Sequence, residues 1–421
     1  MIKNLLLVAT RNFKRDKWYT MINILGLMIG ITFSMLLIFY IRDELSYDRY
    51  NKNADRIYRV ASHIQEPDRP MSNNAATQFT LIPELQKEYP EIEEAVRLVD
   101  NGRLMYKNGD RRFYEDKVFF SDSKLFRVFT YDFIEGDPQT ALIEPHSMVL
   151  TQSMAEKFFG KAAKVVGKTL QDDKGDVYKI TAVIKDVPRN SHILFRALIS
   201  VSTLPKNFAD SWGSFGPYSY ILLRPNTDVP AFEKKLLPLY DKFMAPIFAQ
   251  FNIKIHYSLQ PITAIHLHSD MVNEPEELGS MSYIYIFSAV ALFMLLIASI
   301  NYMNLTTARS ARRAKEIGIR KVTGSSKSQL IAQFLMESIF TTMVALLFSL
   351  ILIVIVLPVF NNLAGKSIGS QILLQHGNFL VLIGIVLFVG LLGGSYPAFY
   401  LSKFNPINIL KGSLAKGSSN V

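Results

Sequence analysis

MINILGLMIGITFSMLLIFYI, residues 21–41, runs straight into the charged string RDELSYDRY, residues 42–50. The uncharged run starts earlier, at Trp18. As a helix, about 20 apolar residues cross roughly 30 Å of hydrocarbon. The run is too long for the apolar part of a secretory signal, and the charged string after it offers no small-residue cleavage site. It reads as an uncleaved anchor, span one, over residues 18–41.

Three later stretches repeat the pattern. Leu278–Ala308, Ser338–Gly365 and Ser367–Ser402 also lack Asp, Glu, Lys and Arg. Their apolar centres are YIYIFSAVALFMLLIASINYM (283–303), IFTTMVALLFSLILIVIVLPVF (339–360) and FLVLIGIVLFVGLLGGSYPAFYL (379–401). We place the spans at 281–308, 338–360 and 379–402. The chain-wide averages, 49% hydrophobic residues and a mean hydropathy of +0.17, therefore mix two populations.

Charge orients these spans. Residues 1–17 carry a net +4, the segment 309–337 a net +5 and the tail 403–421 a net +3. The loop between spans three and four has only Lys366, and residues 42–280 carry a net −3. Basic segments stay in the cytoplasm. Both termini and 309–337 are expected inside, and the 239 residues of 42–280 outside. The pI near 9.4 reflects this topology and attraction to anionic headgroups of the lipid bilayer, not nucleic-acid binding. The absence of cysteine excludes disulfides and thiol chemistry.

Residues 1–17 place Leu5, Leu6, Ala9 and Phe13 near helical spacing, an amphipathic lead-in suited to the headgroup surface. The outer segment reads as mixed α/β. Strands are expected at Arg56–Ile64, Met148–Leu150, Tyr218–Arg224 and Ile253–Leu259, with helices at Thr80–Glu88, Asp122–Phe129, Thr151–Phe159 and Val229–Met244. Hairpins are expected around Asn108-Gly109 and between Lys168–Leu170 and Val177–Asp186. Its length favours two lobes. The fold class is thus an α-helical membrane protein with four transmembrane helices and a large mixed α/β extracytoplasmic domain inserted between helices 1 and 2.

Residues 308–338, ARSARRAKEIGIRKVTGSSKSQLIAQFLMES, carry the most specific local pattern. Ile317 and Ile319 stand amid charge, a Gly324-Ser325-Ser326 break follows, and Leu330, Phe334 and Leu335 then open the next span. A short apolar and basic helix projecting into the cytoplasm suits docking into a partner's groove. EIGIRKVTGSS (316–326) and QFLMES (333–338) resemble the FtsX-like permease domain of MacB-type ABC transporters. RNFKRDKWYTMINILGLMIGI (11–31) and YPAFYLSKFNPINILKG (396–412) are similar to the same family's first-span and last-span signatures. GDPQTALIEPHSMVLTQSMAEKFFG (136–160), VVGKTL (165–170) and VYKITAVIKDVPRNSHILF (177–195) resemble the MacB-like periplasmic core domain. The chain holds one four-span unit where many relatives carry two, so it reads as a half-size subunit or as the first half of a longer permease.

The resemblance implies a permease that binds a dimeric ABC ATPase through the cytoplasmic segment. Glu316, Ile317, Gly318, Ile319, Arg320 and Lys321 would form the coupling contact, and Gly324 would end their helix. On physical grounds Ile317 and Ile319 would pack into the groove, with Arg320 and Lys321 pairing acidic ATPase residues. The chain itself is not expected to be an enzyme. The sole near match to a phosphate-binding loop, at Gly167-Lys168-Thr169, has Ala162 where the first glycine is required. ATP would be bound by the partner, and no cofactor is expected here.

Gly26 and Gly30 in span one, and Gly390 and Gly394 in span four, have the spacing that lets helices approach closely. They are candidates for helix packing or for a dimer contact with a second permease half, Gly26/Gly30 above all. No charged residue lies within a span core, which argues against an ion pathway and for a machine that transmits movement. His266 and His268, read as one face of a strand, could bind zinc with Asp270, but no third ligand is identifiable and no metal is expected. His63, His146 and His192 form no recognisable nucleophile–base arrangement.

The expected function is transmission of ATPase-driven motion to the periplasmic domain of an inner-membrane protein. Such a machine exports or expels an antimicrobial peptide, a drug or a lipoprotein, and its further partners include a periplasmic adaptor or outer-membrane channel. The alternative is a signalling protein whose outer domain controls an envelope enzyme or senses a ligand.

Overall fold

The structure is a computed structural model that describes residues 17–161, 164–205, 212–374 and 376–402; of residues 17, 309–317, 374, 376 and 401 only the backbone is described. The side chains of the lead-in expected over 1–17, and the tail expected over 403–421, therefore lie outside the described residues. The chain forms two compact units: Glu44–Met281, and the residues up to Asp43 together with those from Ser282 onward.

In chain order the first helix is α1, Lys17–Glu44. The outer unit then contributes β1 Ile57–Gln65, β2 Ser72–Asn74, α2 Leu81–Glu88, β3 Ile92–Asp100, β4 Leu104–Asn108, β5 Arg111–Glu115, β6 Val118–Ser121, α3 Leu125–Val128 and β7 Phe133–Glu135. It continues with β8 Ser147–Thr151, α4 Gln152–Phe159, β9 Thr169–Asp172, β10 Val177–Ile184, β11 Ala197–Ser200 and β12 Tyr218–Leu223. It ends with α5 Val229–Lys235, α6 Ala245–Phe248, β13 Lys254–Pro261 and α7 Ile262–His268. Three long helices follow: α8 Met281–Val322, α9 Lys327–Ala364 and α10 His376–Ser402.

Among the described residues four helices are long and apolar enough to cross a membrane: Trp18–Glu44, Met281–Ala308, Lys327–Ala364 and Gly377–Tyr400. Two serine hydroxyls reach backbone carbonyls of neighbouring helices, as a setting without water favours. Ser34 Oγ donates to the Ala291 carbonyl at 3.0 Å, and Ser349 Oγ to that of Met28 at 3.1 Å. The glycine candidates pack inside this unit. A Cβ on Gly30 would stand 2.6 Å from Ala298 Cβ, and one on Gly26 3.3 Å from Asn301 Nδ2. A Cβ on Gly390 would meet Ile339 Cγ1 at 2.9 Å, and one on Gly394 would meet Ser338 Oγ at 2.6 Å. The Gly26/Gly30 face, considered above for a second permease half, is thus covered by α8 of the same chain. Gly30→Val should destabilise the span bundle by about 1–3 kcal/mol through overpacking. Thermal unfolding in detergent checks this, and an unchanged midpoint would show that the helices part freely.

The outer unit is built on one sheet, with thirteen strands among the described residues, in the order β13-β1-β12-β3-β6-β11-β8-β10-β9-β4-β5. β2 adds to β1, and β7 to β10. Two pairs, β6 with β11 and β8 with β10, are parallel. Strand alternation assigns the faces. Tyr220 and Leu222 of β12 join Val96 and Leu98 of β3, Phe119 of β6 and Leu198 of β11 in one cluster. Their neighbours point the other way: Ile221 and Leu223 pack with Leu81, Leu85 and Phe232, while Phe120 and Ile199 pack with Met154 and Phe158. One apolar cluster therefore spans one face, and two separate clusters cover the other. Where length suggested two lobes, the sheet runs unbroken, and the division shows only in those two clusters.

Local chemistry sets many boundaries. Gly109, at φ +59°, makes the turn between β4 and β5. Gly160, at φ +87°, ends α4, and its amide donates to Glu156 at 2.8 Å. The helix expected over Val229–Met244 instead stops at Lys235 and resumes as a wide turn at Tyr240–Met244. Pro238 lies between the two and lacks an amide to donate.

Candidate functional site

The segment read as a cytoplasmic loop is two helices meeting at an elbow. α8 runs for 42 residues without interruption, about 63 Å, twice the thickness of a hydrocarbon core. Gly324 stops it at φ +99°, a conformation that L side chains rarely adopt. The Gly324 amide donates to the Lys321 carbonyl at 3.2 Å, and the Ser325 amide to that of Arg320 at 2.9 Å. These are the paired bonds of a Schellman stop. Ser326 then caps α9: its hydroxyl accepts from the Gln329 amide, and the Gln329 side chain accepts from the Ser326 amide. Leu330 and Phe334 on the first turns of α9 are buried together with Ala398 of α10.

The coupling candidates separate by direction. Gly318 is buried, whereas Ile319 is 51% exposed and Val322, one turn on, is 66% exposed. The side chains of Glu316 and Ile317 lie outside the described residues. Arg320 and Lys321, expected to meet acidic residues of a partner, are half-buried and reach neighbouring helices of their own chain. Arg320 Nη1 donates to Gln333 Oε1 on α9 at 2.7 Å, and Lys321 Nζ to the Ser402 carbonyl at the end of α10 at 2.7 Å. Burial lowers the Lys321 pKa, and the nearby Lys327 adds to this. A cation at a helix C-terminus also satisfies carbonyls that the helix leaves open. Val322 was not among the sequence candidates, although its spacing of three from Ile319 was a legible helical signal.

His63, His192 and His266 find partners inside the fold. His266 and His268 sit on α7, not on a strand, and two residues apart on a helix they point in different directions. Among the described residues no group of three or more His, Asp or Glu could hold a metal. His63 offers one ring nitrogen to Asn73 at 2.8 Å and the other to Ser258 at 2.6 Å. The ring of His63 lies 4.7 Å from that of His256, whose pKa is lowered by burial first and by His63 second.

His192 belongs to a buried chain that sequence spacing did not reveal. Its Nδ1 lies 2.8 Å from Asp48 Oδ1, and its Nε2 2.8 Å from the Tyr220 hydroxyl. All three side chains are buried, and burial drives the Tyr220 pKa well above the usual phenol range. The arrangement lies buried inside the fold rather than presenting a nucleophile. Arg59 is a second such group: its guanidinium meets Glu274 at 2.5 and 2.6 Å, Gln260 at 2.6 Å and Ser269 at 3.0 Å.

Comparison with known proteins follows the same two-part organisation. The MacB-like periplasmic core domain matches residues 20–239, and the FtsX-like permease C-terminal region matches residues 288–406. The macrolide export ATP-binding/permease protein MacB of Bdellovibrio bacteriovorus is 27% identical over 192 residues, 45% of this chain and 27% of that protein. An uncharacterized ABC transporter permease of Methanocaldococcus jannaschii is 22% identical over 433 residues, covering 98% of both chains. The periplasmic region of MacB from Actinobacillus actinomycetemcomitans aligns with a TM-score of 0.33 at 14% identity, over 46% of this chain and 87% of that one. The matched stretches span less than a third of the MacB proteins themselves. The core-domain match alone covers more than half of the sequence, and the chain belongs to the family of ABC transporter permeases that join a MacB-like periplasmic core domain to an FtsX-like permease region.

Proposed function

We propose that this chain is a transmembrane subunit of a MacB/FtsX-type transporter, with ATP hydrolysed by a separate ABC ATPase pair. Motion would enter at the α8–α9 elbow and act on a substrate outside the membrane, of the antimicrobial peptide, drug or lipoprotein class. Both termini would lie in the cytoplasm of an inner-membrane protein. The observation that supports this reading best is the elbow itself. Arg320 and Lys321 brace α9 and α10, while the apolar pair Ile319 and Val322 stands exposed at the end of a helix twice as long as a span requires. An apolar pair on a braced helix end is what a groove in a soluble partner would grip.

Burying one such side chain contributes about 1.5–3 kcal/mol, so Ile319→Asp should weaken ATPase association by about tenfold or more. Val322→Asp should act in the same direction. Copurification of the two subunits, with membrane insertion as the control, measures this. Unchanged association in both variants would remove the elbow from the coupling path. Charge reversal at Lys321 or Arg320 should instead loosen the elbow, because each side chain is bonded within its own subunit.

A further inference from the structure

The outer unit is reached from α1 through residues 44–51 and left towards α8 through residues 269–280, and both connectors are fastened to its interior. Glu44, the last residue of α1, is nearly buried and lies 2.9 Å from His266 Nε2 on α7. An ionised carboxylate can only accept, so the imidazole Nε2–H donates. The Tyr47 ring stacks on the same imidazole with centroids 3.4 Å apart and planes 2° from parallel.

The returning connector closes over this pair. The Gly279 amide donates to the His266 carbonyl at 2.9 Å. A Cβ at position 279 would stand 2.5 Å from Glu44 Oε2, 2.6 Å from His266 Nε2 and 2.9 Å from Leu267 Cδ2. Gly279 is not among the glycines with positive φ, so the position needs glycine for space and not for conformation. The backbone of the returning chain therefore lies against the hydrogen bond that holds the outgoing chain. Glu44 reaches an imidazole 222 residues further along the chain. A carboxylate buried at such a point is costly unless it is paired, so the pair holds the connector in one position.

We infer that His266 is a clasp joining the two connectors of the outer unit, so that displacement arriving along either one reaches the sheet as a single movement. It is a positioning residue: it touches no substrate and acts through Glu44 and Gly279. The source of the displacement rests on the permease reading above; the clasp itself does not.

The chain has no cysteine, so Leu45→Cys and Leu278→Cys, both at exposed positions, give a unique spin-label pair in the full-length protein. The distance distribution between the labels should be narrow in the parent and unchanged when the copurified ATPase is trapped with ATP and vanadate. His266→Ala and Gly279→Val should each widen it by about twofold through local opening, and nucleotide should then shift it. His266→Gln, which keeps a donor for Glu44, should restore the narrow distribution; a merely space-filling role would not distinguish Gln from Ala. A broad parent distribution, or one as narrow in both variants as in the parent, overturns the clasp. Opening in the variants without any nucleotide-dependent shift leaves the clasp and removes its mechanical role. If no ATPase associates with the parent, the permease reading fails, and the nucleotide-free arm still decides the clasp.

Discussion

Arg59→Met should destabilise the outer unit by about 3–5 kcal/mol, the cost of leaving a buried charge without its partner. Arg59 is fully buried, and the Glu274 side chain it holds is 8% exposed. The two carboxylate oxygens of Glu274 accept from separate nitrogens of the guanidinium, at 2.5 and 2.6 Å. This two-pronged geometry is specific to arginine, so Arg59→Lys should recover only part of the loss. The double variant Arg59→Met/Glu274→Met should be far less damaged than Arg59→Met alone, because it removes both charges together. Trp212, stacked on Phe243 at 4.7 Å, reports unfolding by fluorescence once Trp18 is replaced by Phe. A single variant costing under about 1 kcal/mol, with no recovery in the double, would show that water reaches the pair.

Gly136→Ala should cost about 3 kcal/mol or more, from strain and collision together. Gly136 follows β7 at φ +91°, where an L side chain is disfavoured. Its Cβ would also stand 2.5 Å from the Thr181 carbonyl oxygen and 2.8 Å from Ala182 Cα, both in the middle of β10. A central strand bonded on both sides cannot step aside as a flexible side chain could. Gly175 is the control: its φ is +96°, but nothing lies within 4 Å of an added Cβ. Gly175→Ala should therefore cost only the backbone strain, about 1 kcal/mol. The difference between the two melting shifts isolates the close approach, and equal shifts would mean that β7 lifts off the sheet. The same glycine opens the 136–160 motif on which the family resemblance rests, and its φ and its contact with β10 give that position a physical reason.

Much of the molecule was legible because its causes are local. Hydrocarbon thickness alone demands about 20 uncharged apolar residues per span, so the four spans could be read without any partner in view. The Asn108-Gly109 turn and the end of α4 at Gly160 depend on the few residues around them, and both lie where the sequence places them. The stop at Gly324 was likewise legible from glycine's freedom at positive φ.

Errors arose where a local pattern had two readings. His266 and His268 looked like alternate residues of a strand, yet Ile262, Ile265 and His266 are buried at helical spacing. Pro238 could have warned against one helix over Val229–Met244.

Other features depend on contacts that no window of sequence contains. Asp48 and His192 are 144 residues apart, and Arg59 and Glu274 215. The bonds of Arg320 and Lys321 to Gln333 and the Ser402 carbonyl depend on where α9 and α10 lie. Gly26 and Gly30 likewise could serve an outside helix or α8, and packing gave them to α8. Hydropathy and turn chemistry act over one or two turns of chain and so determine spans and boundaries. The pairing of buried charges and the faces of helices are set by residues far away in sequence, and only the folded chain brings those residues together.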